Sequence, residues 1–136
     1  MALASASALA ADGLPSTGLG QSWPNATDVS ASPHWHVYVF ERNGIRYVQI
    51  NDLGGKVRAA FAASNGNFLV LPVGADAAHV ATPQEPQTST ARAKGEVVYH
   101  DASVNVLVAP LANGATGVYV ANGDCKDPIE CSSRFN

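Results

Sequence analysis

From His34 onward, apolar residues recur at every second position. In "HWHVYVFERNGIRYVQIN" (residues 34–51), Trp35, Val37 and Val39 share one side of an extended chain. A period of two is the signature of a strand with one buried face. Asn-Gly and Gly-Gly pairs punctuate the run, and such pairs tolerate the positive φ that tight hairpins demand. A turn at Asn43-Gly44 predicts the pairs Glu41–Arg46, Val39–Val48 and Val37–Ile50. A turn at Gly54-Gly55 predicts Ile50–Ala59 and Val48–Phe61, and one at Asn65-Gly66 predicts Phe61–Val70. A single apolar face survives all three turns. A slip of one residue would send it to the opposite side, so the register is strongly specified.

Residues 74–95, "GADAAHVATPQEPQTSTARAKG", break the alternation. Their prolines, threonines and glycines predict a long connection, with a short strand or helical turn at Ala77–Ala81. Alternation resumes in "EVVYHD", "VNVLVA" and "GVYVAN", turning near Ala102-Ser103 and at Asn113-Gly114. The fold expected is all-β: two antiparallel meanders, 34–73 and 96–122, forming a sandwich or small open barrel. A twisted single sheet capped by the Ala77 segment is the alternative. The β domain runs from 33 to 136 and ends in a polar tail, 123–136.

Residues 1–32 are mostly Ala, Ser, Gly, Thr and Pro, with two charges, Asp12 and Asp28. They read as a disordered, flexible tail. Within it, "MALASASALAADG" has the small residues of a secretory signal-peptide remnant, with processing expected near Ala11. Cys125 and Cys131, in "CKDPIEC", flank a turn at Asp127-Pro128. Their spacing fits neither a C-x-x-C redox motif nor a zinc knuckle. A disulfide is predicted, in keeping with an exported, periplasmic or secreted location.

Charged residues make up 14% of the chain and the formal net charge is -3. No basic stripe is available for a nucleic-acid backbone. No apolar run approaches the roughly 20 residues of a membrane span.

The face opposite the apolar one carries His34, His36, Tyr38, Phe40, Tyr47, Gln49 and Asn51, with Arg42 beside it. Phe40 falls opposite Tyr47, and such pairs commonly just fill a hairpin. Aromatics bordered by polar groups also serve interfaces, so His36, Tyr38, Phe40, Arg42, Tyr47 and Gln49 are the candidate binding residues. The expected layout leaves the first hairpin open and the far end of the meander covered. His34-x-His36 places two imidazoles on one strand face, which suits zinc; His79, His100, Glu41 or Asp101 would have to complete the site. No other cofactor is indicated. Ser64 in "AASNG" lacks the G-x-S-x-G elbow, and neighbours along His100-Asp101-x-Ser103 alternate faces, as a triad cannot. Catalysis is not expected.

A short signal remnant, a Ser/Ala-rich segment, a β domain and a late cysteine pair together resemble small exported proteobacterial proteins of uncharacterised function. The resemblance is one of layout and transfers no catalytic residues; it is the His36-Tyr38-Phe40-Tyr47 face that gives the expected function, a non-catalytic module that binds a protein or small ligand in the cell envelope or outside the cell. A monomer, or a weak dimer formed through an open edge strand, is expected. The alternatives are a metal-dependent protein using His34 and His36, an envelope hydrolase inhibitor, and a structural surface antigen.

Overall fold

The computed structural model describes residues 14–88, 95–112 and 114–134. The chain is all-β, as the alternation predicts. Strands β1 (Trp35–Arg42), β2 (Ile45–Asp52), β3 (Val57–Ser64) and β4 (Asn67–Val70) form one antiparallel sheet in that order. The second sheet holds β5 (Val80–Ala81), β7 (Glu96–His100), β8 (Val104–Pro110) and β9 (Thr116–Asn122), in the order β5-β9-β8-β7. Its β5 runs parallel to β9 and makes the sheet mixed. A short parallel pair joins β6 (Gln87–Thr88) to β10 (Ser133–Arg134), which follows the helix α1 (Pro128–Ser132).

The registers follow the turns. Asn43 and Asn65 adopt φ of 56° and 52°, and the glycines after them are also positive, as two-residue hairpin loops require. Val39 pairs with Val48, Ile50 with Ala59 and Phe61 with Val70. The middle turn differs from expectation. Asp52 N–H donates to Lys56 O at 2.9 Å, so three residues, Leu53-Gly54-Gly55, make the loop. A bulge between Ile50 and Asn51 absorbs the extra residue.

The two apolar faces pack together. Val37, Val48, Ile50 and Phe61 of the first sheet meet Val98, Val106, Val118 and Val120 of the second in one buried cluster. This is a sandwich; the sheets do not close into a barrel. Ion pairs join the sheets or their loops at two places. Arg46 on β2 contacts Asp101 beyond β7 at 3.0 Å. Arg58 on β3 contacts Asp76, a carboxylate buried in the 74–79 loop, at 2.6 Å. The long connection holds a 3-10 turn at Ala77–His79 and then β5, close to the expected Ala77–Ala81 element.

Each outer face is covered by a terminal segment. On the second sheet, Asp127 caps α1 by accepting the Ile129 N–H, and Ile129 packs against the cluster of Ala81, Ala109, Leu111 and Tyr119. Cys125 and Cys131 form a disulfide, with Cα atoms 6.7 Å apart, so the cover is held covalently at both ends of its loop. On the first sheet the cover is residues 15–24, a strap. Of the segment read as a tail, 1–32, the described residues 14–32 bond to the domain along the strap and at 29 and 31, and residues 1–13 lie outside the described ones.

Candidate functional site

The strap lies on the face predicted to bind. Gly20 N–H donates to Gln49 Oε1 at 2.6 Å, and Gln49 Nε2 donates to Gln21 O at 2.9 Å. Asn51 Nδ2 donates to Ser22 O at 2.7 Å, and Glu41 N–H donates to Pro15 O at 3.0 Å. The sheet therefore reads the strap's main chain. Gln49 and Asn51 are fully buried and their amides bond each other at 3.0 Å, so these polar side chains replace water for an otherwise unpaired stretch of backbone.

That arrangement corrects the predicted exposure. Tyr38 is 4% exposed, Phe40 2% and Gln49 0%. They are covered because the strap brings its own hydrogen-bonding groups down onto the polar positions among the rings. Burial, and behind it the Asp28 charge, pushes the Tyr38 phenol up. The expected layout is also reversed. The first hairpin is covered, whereas the far end of the meander carries Leu69, 62% exposed, on β4.

Beyond the strap, residues 28–34 clasp the sandwich at one side. Val29 N–H donates to Val37 O on the edge of β1, and Ala31 N–H donates to Val98 O on β7. Asp28 accepts the Val37 N–H at 2.9 Å and meets His36 Nδ1 at 2.6 Å. Glu96 receives the Ser32 hydroxyl and lies 3.1 Å from His34 Nδ1. Burial would raise Asp28, but His36 and the Val37 and Ser30 amides outweigh it and hold its carboxyl below the usual range. The Ser32 hydroxyl is the main cause lowering Glu96, with His34 behind it. The free edges expected on the sheets are thereby reduced. Gln84 accepts the Phe68 N–H on β4, and Gln87 donates to Val80 O on β5.

The two histidines of the candidate zinc pair have separate partners. His34 and His36 turn toward two different carboxylates, and among the described residues no group of three or more His, Cys, Asp or Glu converges for a metal ion. His100 Nε2 faces Gly123 O, and Asp101 Oδ1 accepts the Ser103 and Val104 amides, so no triad forms there.

What stays open lies beside the strap. A groove of about 400 Å³ is lined by Leu19 of the strap and by Phe40, Arg42, Tyr47 and Leu71. A neighbouring hollow of about 350 Å³ continues the surface over Ile45, Ala62 and Leu69. The register explains the continuity: Phe40, Tyr47, Ala62 and Leu69 stand in one row across four strands. Arg42 is exposed at the end of this row and makes no ion pair among the described residues.

Trp23 was not among the predicted residues. Its indole is 62% exposed, edge-on to His36 with ring centroids 5.4 Å apart. A Cβ at Gly55 would come within 2.6 Å of the indole, so the β2–β3 loop needs glycine there for the ring to lie against it. The signal for this contact was a tryptophan next to proline, the one aromatic residue before His34.

No family model, curated protein or solved structure matches the chain.

Proposed function

We propose that this chain is an exported, non-catalytic binding module that recognises a partner through the strap side of its first sheet. The observation that carries the reading is the distribution of exposed apolar side chains. Among the described residues, Leu14, Leu19, Trp23 and Val29 of the N-terminal segment and Leu53 and Leu69 of the first sheet are exposed; Val97 is the counterpart from the second. Six of these seven belong to the N-terminal segment or to the first sheet and its β2–β3 loop, and exposed apolar side chains are what interfaces use. Arg42, Tyr47 and Phe40 from the predicted binding set line the groove; Gln49 holds the strap beside it, and His36 lies edge-on to Trp23. A cation at the mouth of an apolar groove suits a polypeptide or amphiphile with an acidic group next to an apolar one. The Cys125–Cys131 disulfide is compatible with an oxidising, extracytoplasmic location.

The test is affinity capture from envelope and secreted extracts, with the wild type run beside an Arg42→Glu/Leu69→Asp variant. Both positions are exposed, so the variant keeps its fold. A partner retained by the wild type and lost by the variant supports the reading. Equal capture by both, or no capture, overturns it.

A further inference from the structure

The open surface beside the strap has one polar end and an apolar remainder. Phe40, Tyr47, Ala62 and Leu69 stand in register on four neighbouring strands, so their row crosses three strand spacings, about 14 Å. Arg42 lies at the β1 end of the row, exposed and without an ion pair among the described residues. Pro15 O accepts the Glu41 N–H at 3.0 Å, which sets Ser16 and Thr17 of the strap beside Arg42 in the lining of the groove. Neither hydroxyl has a hydrogen-bond partner among the described residues. Glu41, the nearest carboxylate in sequence, lines a separate hollow. One guanidinium and two hydroxyls thus form a donor group that the described chain does not answer.

We infer that the groove takes a single-chain carboxylate amphiphile, a free fatty acid, with its carboxylate on Arg42 and its hydrocarbon chain along the row toward Leu69. The inference rests on the reading of this face as a binding face and names the class of ligand it holds. The head is chosen by charge: a planar guanidinium meets a carboxylate through two parallel hydrogen bonds, and neighbouring hydroxyls can donate to the remaining lone pairs. The tail is chosen by what the floor lacks. The main-chain groups beneath the row are engaged strand to strand, and at the edge beyond it Gln84 accepts the Phe68 N–H and donates to Gly66 O. A polypeptide laid across the row would bury its own amides over Ala62 and Leu69 with little to pair them. Ser64 and Asn67 join the lining only at the far end, in the hollow around Leu69. An unbranched hydrocarbon chain has no amide to bury, and the row matches the reach of an extended dodecanoate.

The experiment uses the full chain and dodecanoate below its micelle concentration, with dodecylammonium as the control of equal chain length. Binding is followed by calorimetry and by the methyl NMR signals of Leu19, Leu69 and Leu71. The expected result is saturable binding of dodecanoate that shifts all three leucines, with dodecylammonium bound at least tenfold more weakly. Decanoate, two methylenes shorter, should bind about tenfold more weakly than dodecanoate. Arg42→Gln, at an exposed position, should weaken dodecanoate at least tenfold and remove its advantage over the ammonium. No saturable binding, equal affinity for the two head groups, or an Arg42→Gln variant that binds as the wild type does overturns the inference. A polypeptide captured from envelope extracts by a chain that dodecanoate does not saturate also overturns it, and leaves the binding face itself intact. Saturation by dodecanoate that Arg42→Gln loses, with no polypeptide captured, supports the fatty acid and removes the protein partner.

Discussion

Asp28 grips the strand edge beside His36 in two ways: one carboxylate oxygen takes the Val37 amide and the other lies 2.6 Å from the His36 ring. The pair fixes the point where the N-terminal segment passes from covering a sheet to clasping its edge. Asp28→Asn keeps one acceptor and removes the charge. The expected cost is about 1 kcal/mol, because the pair is partly solvated. Asp28 and Glu96 both have carboxyls held below their ordinary values. Their contribution is complete above the carboxylate range of the unfolded chain, and it fades as pH falls through the depressed folded values. Chemical denaturation at a series of acidic pH values should show wild-type stability falling more steeply than that of Asp28→Asn.

Gln49→Ala leaves the Gly20 N–H without its side-chain acceptor and the Gln21 carbonyl with only the longer bond from Asn51 Nδ2, at 3.4 Å. Losing these part-buried bonds, together with the packing of a fully buried side chain, should cost about 2 to 3 kcal/mol. Gln21→Ala, in contrast, removes a side chain the sheet does not read and should stay within about 0.5 kcal/mol of wild type. Urea titrations of the two variants separate recognition of main chain from recognition of side chain. Equal losses would contradict the described bonding.

Phe40→Ala should cost about 3 to 5 kcal/mol, the range for a large ring deleted from a packed interior. Tyr38→Ala belongs in the same class, since its ring is stacked on His36 beneath the strap. Thermal melts should find both variants strongly destabilised, with Leu69→Ala, at an exposed site, near wild type.

The Tyr99 phenol is pushed up to about 12 by burial and by its hydrogen bond to Asp101. The fold holds the neutral phenol. Its contribution is therefore complete below the unfolded value near 10 and is lost as pH rises toward the folded one. An alkaline ultraviolet titration should show a late tyrosinate step that Tyr99→Phe removes.

Reduction of Cys125–Cys131 should cost about 2 kcal/mol by the chain-entropy estimate for so short a loop. Tyr119, on the face that α1 covers, should report the change, and the Trp23–His36 contact on the opposite face should not. Ring NMR signals with and without reductant check this.

The strands were legible because turn chemistry and burial pattern agreed. Asn43-Gly44 and Asn65-Gly66 allow one register each, and that register put Val37, Val48, Ile50 and Phe61 on one side. The bulge at Ile50/Asn51 left no mark in the alternation, since a third loop residue and a bulge cancel by Ala59. The strap was illegible for a different reason. Gly18, Gly20, Gln21 and Ser22 contribute main-chain groups, which every sequence has, so their side chains look like those of a tail. The specifying residues sit elsewhere, at Gln49 and Asn51. Two amides interleaved with rings on a strand normally signal solvent; here they mark a seat for backbone. The groove was largely legible from the alternation, which puts Phe40, Tyr47 and Leu71 on one face with Arg42 beside it; Leu19 of the strap was not. The partners of His34 and His36 lay in Glu96 and Asp28, remote in sequence or hidden in the supposed tail.

Parallel pairing of β5 with β9 also orders the events of folding. All four strands of the first sheet are joined by successive tight turns, so they zip up through near neighbours in sequence. In the second sheet Val80 must wait for Val118, and β9 is central, flanked by β8 and β5. Loop-closure entropy is spent before that pairing returns anything. A chain emerging N-terminus first therefore completes the first sheet before the strands that cover its valine face, β7 to β9, are all available. That interval, rather than the finished domain with its capped edges, is when this protein is most prone to wrong association.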